Sequence, residues 1–270
     1  MAGGETQARN VEALEHYQNT LALAGRLGVS QQIQATLQNV VARALIRLGR
    51  FDAAEQLLAS AVPVHERAGN QPRLAQALLV RAEALLGLPG SIHAEQAAAL
   101  AQQALTLHEQ SGHPPGISAA AHVRGLALQA LGRSDEARHL LERAAGISSP
   151  VLKCEAMVDL GSLELAASSL AKAVPIAIAC IDLALEHELA SLRWGATLLA
   201  CEILLHERSS TAQVARWLAA TLTDPDLSFN YRQRALALGA EGSAPEERQP
   251  IDHVSLQAMR DELSALAHAG

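Results

Sequence analysis

Apolar residues recur along this chain at the three- and four-residue spacing of a helix, with no run of strand-like alternation. The clearest stretch places Ala42 and Leu45 on one helix and Ala54, Leu58 and Ala61 on the next. Extended along the chain, the pattern predicts helices over 7–27, 30–48, 51–68, 71–87, 93–111, 115–131, 134–146, 150–167, 170–187, 189–207, 210–222 and 228–239. Pro63 and Pro175 fall inside two of these, where proline kinks a helix or delays its start. Residues 241–253 read as a linker after a helical domain of 1–240. Asp252 then caps a terminal helix over 254–270, whose stripe of Val254, Leu256, Met259, Leu263 and Leu266 is expected to dock as a lid on the last repeat.

The helices are not independent, because the chain repeats itself. Leu48-Gly49-Arg50-Phe51-Asp52-Ala53-Ala54 returns 83 residues later as Leu131-Gly132-Arg133-Ser134-Asp135-Glu136-Ala137, two periods of about 40. Leu45 and Ala54 are nine residues apart, as are Leu128 and Ala137. Between them Leu85 and Ala97 are twelve apart, and the excess of three sits in the turn-rich Gly87-Leu88-Pro89-Gly90-Ser91. Further on, Gly125, Gly161 and Gly195 continue the series more loosely. Second helices end on a charged turn and a glycine, as at His65–Gly69 and His108–Gly112. The fold class predicted is all-α: a right-handed α-solenoid of antiparallel helix pairs, about five in number, with a C-terminal capping helix.

Composition supports this. The 270 residues include 54 Ala and 44 Leu against only two Trp, two Tyr and two Phe, so strand formers are scarce and the core must be aliphatic. A net charge of −7 argues against general binding of nucleic acid. The longest apolar run, Val174–Leu185, is interrupted by Pro175 and Asp182, so no span of a bilayer is expected. Cys154, Cys180 and Cys201 are odd in number and far apart, which points to reduced, buried, cytoplasmic thiols, with Cys180 and Cys201 within reach of each other on adjacent helices.

The motif of a small residue, Leu three positions on, Gly at the turn and Asp-x-Ala opening the next helix resembles the tetratricopeptide repeat (TPR). The fullest matches are Ala42-Leu45-Gly49-Phe51-Ala54-Leu58-Ala61 and Gly125-Leu128-Gly132-Ala137-Leu141-Ala144, with a weaker Ala82-Leu85-Ala97-Ala101-Ala104. The aromatic positions of the usual repeat are mostly Leu or Ala, and the period is about 40 rather than 34. The longer version is similar to arrays in bacterial maltose-activator-type regulators. Residues 7–27 resemble a second helix without its first, either a cap or the start of an excised piece.

Catalytic chemistry is not legible. There is no HExxH, CxxC, P-loop or GxSxG pattern, so no catalytic residue, metal ligand or cofactor is expected. The resemblance implies a non-catalytic scaffold that holds a protein or peptide on the concave face lined by first helices. Helical spacing places Asn39, Arg43 and Arg47 on that face, then Gln76 and Glu83, His122 and Gln129, Glu155 and Asp159, and Arg193. The charge would then run from basic to acidic along the groove. A ligand- or peptide-sensing segment of a bacterial transcriptional regulator is the alternative. The partner and the oligomeric state have no signature in the sequence.

Overall fold

The computed structural model describes residues 2–146, 149–187, 189–207, 211–222, 224, 227, 229–239 and 251–269. Among the described residues all regular structure is helical: α1 (Ala2–Arg26), α2 (Gln31–Arg47), α3 (Phe51–Arg67), α4 (Gln71–Leu86), α5 (Ser91–Gln110), α6 (Pro114–Ala130), α7 (Ser134–Ala145), α8 (Pro150–Ala166), α9 (Leu170–His187), α10 (Ala190–His206), α11 (Thr211–Leu222), α12 (Phe229–Ala237) and α13 (His253–Ala269). Residues 240–250, most of the expected linker, lie outside the described set. Pro63 and Pro175 interrupt neither α3 nor α9. Both prolines are exposed, so the carbonyls they leave unbonded face water.

The chain forms two compact units, residues 7–144 and residues 145–270 grouped with 1–6. In the first, α2 packs on α3, α3 on α4, α4 on α5 and α5 on α6. First helices also touch one another, α2 with α4 and α4 with α6, so they form one layer. The second unit repeats the scheme, with α8 on α9, α9 on α10, α10 on α11 and α8 against α10. This stacking of helix pairs is an α-solenoid, in which each pair covers the apolar face its neighbour cannot bury alone.

The repeated phrase is a turn. At the end of α2, Gly49 adopts φ 72°, its N–H donates to Ile46, and the Arg50 N–H reaches back to Leu45. Gly132 does the same at φ 75°, with bonds to Gln129 and from Arg133 to Leu128. Such a left-handed cap satisfies the last helix carbonyls and is cheapest at glycine. Between α8 and α9 the same pair of bonds recurs around Ser168, at φ 57°. The turn therefore persists where the phrase has dissolved into Ala167-Ser168-Ser169.

Second helices meet the next first helix through a buried histidine. His65 and His108 close α3 and α5 at equivalent positions, and both are buried. Gly116 makes room for one of them, since a Cβ there would lie 2.4 Å from the His108 ring. Burial lowers both pKa values. At His65 the Ala35 backbone works against the drop and the Arg73 charge adds to it; at His108 the charge of His113 adds to it.

Well above pH 6.5 both rings are uncharged in the folded and unfolded chains alike. As pH falls through 6.5, the unfolded value, the unfolded chain binds protons that the folded chain refuses. Stability is thus full above pH 6.5 and declines below it, down to the lowered folded-state values. The melting temperature should fall between pH 7 and pH 5, and His65→Gln with His108→Gln should flatten that slope. An unchanged slope in the double variant would remove the two rings from the explanation.

The core of the second unit runs from Cys154 on α8 through Ile181, Leu199 and Trp217 to the last helix. α13 packs against α9 and α10, burying Leu256, Met259 and Leu263, with Leu266 partly covered and Val254 exposed. Asp252 accepts from the Ser255 N–H at 2.8 Å, and this bond holds its carboxyl below the usual range. Arg260 on α13 donates to Asp182 on α9 at 2.7 Å.

Candidate functional site

The first-helix layer of residues 7–144 carries the polar side chains that the sequence singles out. Arg43 and Arg47, one turn apart on α2, are exposed, and among the described residues neither makes an ion pair or hydrogen bond. Gln76 and Glu83 on α4 and His122 and Gln129 on α6 are half-buried. Each of these pairs is seven residues apart, which returns nearly to the same helix face.

Asn39 differs. It is 5% exposed, and its side-chain oxygen has no hydrogen-bond partner, so it is not displayed to a partner as expected. The reason is geometric. Steps of four residues drift by about 40° each, so Asn39 and Arg47 point about 80° apart. Arg43 and Arg47 turn toward water while Asn39 turns into the packing.

On the opposite side of α2, an open groove of about 640 Å³ lies among α1, α2 and α3. Leu21, Val41, Leu45 and Leu57 give it an apolar lining, with Gln18 and Arg50 supplying polar groups. Sequence reasoning did not find it, because its walls come from three helices and no single one announces a cavity.

In the second unit one of the expected acidic residues, Asp159, meets a cation from its own chain. Arg234 on α12 grips Glu202 of α10 with both Nε and Nη2, at 2.5 and 2.7 Å. Its Nη1 lies 3.4 Å from Asp159 of α8, and Nη2 also donates to Ser162. The Ser162 hydroxyl in turn donates to Glu202 at 2.7 Å. The Arg234 and Glu202 side chains are 19% and 15% exposed. Burial works against the guanidinium charge, but the bond to Glu202 and the charges of Glu202 and Asp159 outweigh it and raise the pKa.

Tyr231, one turn before Arg234, stands edge-on to Trp194 with ring centroids 6.3 Å apart. Burial and the nearby Glu155 and Asp159 push its hydroxyl pKa well above the ordinary value. Arg193 is half-buried on α10. At the acidic end of the expected groove, Asp159 is therefore paired within the chain, with Arg234.

Nothing in these arrangements activates a nucleophile. Cys154, Cys180 and Cys201 are buried and unbridged. A bond with Cys154 together with burial pushes the Cys180 thiol up, and burial does the same at Cys201. Thiols so held are poor nucleophiles. Among the described residues no three His, Cys, Asp or Glu side chains gather as a metal site, and no helix is long and apolar enough to cross a membrane.

No protein-family model and no curated protein matches the chain. Solved structures do match. A kinesin-light-chain-type protein of Podosopora anserina with nearly identical TPR-like repeats superposes with a TM-score of 0.53 at 15% identity, over 80% of this chain and 100% of that one. BtubC of P. vanneervenii gives 0.51 at 14% identity, over 93% and 97%. At such identities the likeness is one of fold: a TPR-like helical repeat.

Proposed function

We propose that the chain is a non-catalytic scaffold that binds a protein or peptide segment on the first-helix layer of α2, α4 and α6. The observation that carries this reading is the pair Arg43 and Arg47, two exposed cations that, among the described residues, make no ion pair or hydrogen bond. Arginines so placed favour a segment bearing carboxylates, because planar guanidinium groups bind carboxylate through paired hydrogen bonds. Helical repeats commonly use such extended surfaces for binding. The three unbridged thiols fit a reducing, cytoplasmic setting.

Charge reversal at both positions tests this. Arg43→Glu with Arg47→Glu should leave helicity and melting temperature unchanged, since neither side chain is packed. Partner capture should fall about tenfold, the scale expected when complementary interface charges are made repulsive. Capture equal to that of the parent chain would sink the assignment.

A second reading is a ligand- or peptide-sensing segment of a bacterial transcriptional regulator of the maltose-activator type. It is favoured by the repeat period near 40 and by the apolar groove among α1, α2 and α3. A helix-turn-helix in the same polypeptide would support it.

A further inference from the structure

We propose that α12 is a displaceable occupant of a receptor face on α8 and α10. That face takes a helical partner segment carrying an aromatic residue and an arginine three positions apart. The inference goes beyond the scaffold reading, which concerns α2, α4 and α6.

Beyond Tyr231 and Arg234, α12 packs on α10 and α11 and donates one bond from Arg232 to the Leu222 carbonyl, at 3.4 Å. It is nine residues long, too short to persist as a helix unless something docks it. Its buried core contribution is Ala235. α13 is anchored quite differently, through Leu256, Met259 and Leu263. The anchors of α12 are Tyr231 and Arg234, residue types that dominate binding hot spots because each combines large contact area with directed polar groups.

The receiving face is shaped for those two side chains. Gly195 opens a gap on α10, where a Cβ would lie 3.3 Å from the Tyr231 hydroxyl and 3.0 Å from Val158. Beside the gap, Asp159, Ser162 and Glu202 converge on one guanidinium. The face thus brings two carboxylates, Asp159 and Glu202, to one docked arginine. Without α12 it would be strongly acidic and would select a cation. Tethering in cis gives α12 an effective concentration of about millimolar, so an untethered segment must match the same contacts to compete.

The test uses the full chain and a fluorescein-labelled synthetic peptide of residues 229–239. Wild type should bind it weakly, because the site is filled. A chain carrying Tyr231→Ala and Arg234→Ala should bind about tenfold tighter or better, since the internal competitor is removed. Adding Glu202→Ala should abolish the gain, as should replacing the peptide's own arginine at position 234 by Ala.

Equal weak binding by wild type and the folded double variant would overturn the proposal. Should the double variant fail to fold, hydrogen exchange on wild type decides. Amides of 229–237 should lose protection when excess peptide is added, and unchanged protection refutes displacement. The Arg43 and Arg47 variants report on the other unit, so failure of either idea is recognised separately.

Discussion

Leu141→Ala should lower the stability of the chain by about 2–5 kcal/mol, the range for a fully buried leucine whose surroundings relax only in part. Leu141 is completely buried on α7, and its side chain reaches the position that a Cβ on Gly125 would occupy, at 3.1 Å. That site has little means of collapse. Its neighbour on α6 is a glycine with no side chain to swing into the gap, and α7 has only Ala137, Leu140 and Ala144 as further buried residues. Urea titration followed by circular dichroism would read the effect as a lower midpoint. A midpoint equal to wild type would mean that α7 is not integrated into the stack.

Ala137→Leu should cost about 1–3 kcal/mol for the opposite reason, too much volume rather than too little. Ala137 is fully buried, and its carbonyl lies 3.4 Å from where a Cβ on Gly125 would be, so the two backbones nearly touch. Three added carbons must push α6 from α7 or take a strained rotamer. Ala54, at the equivalent place in the first copy of the repeated phrase, is equally buried and should respond alike. Exposed Ala130→Leu on α6 serves as control and should change stability by no more than about 0.5 kcal/mol. Equal melting temperatures for all three variants would show that the repeat alignment misplaces these alanines.

Both predictions depend on features readable from the chain, and some features were not readable. Helix positions are legible because small residues and leucines recur at fixed offsets while turns carry glycine; α3, which follows Gly49, needs no more than that. The prolines suggest a bend or a late start, yet α3 begins at Phe51 and α9 at Leu170, each running on through its proline, which is exposed. Ser168 concealed a turn whose hydrogen bonds match those at Gly49 and Gly132, since a serine gives no hint of a positive φ.

The candidate surface was legible only as a set of positions. Arg43 and Arg47 are exposed on α2, whereas Asn39 is buried through angular drift along the helix. Glu155 and Asp159 were assigned to a partner. The cation that Asp159 faces is Arg234, 75 residues further on, and no local pattern encodes a contact at that separation. The pattern predicts α12 over 228–239, but its polar anchors do not say where it docks, unlike the apolar stripe of α13.

The central claim is that recognition belongs to first helices, with second helices serving as their support. Hydrogen exchange of the full chain, with and without its captured partner, tests this most directly. The account predicts slowed exchange in peptides from α2, α4 and α6 around Arg43, Gln76 and Gln129, with α3, α5 and α7 unchanged. Protection confined to α3, α5 and α7 would contradict it.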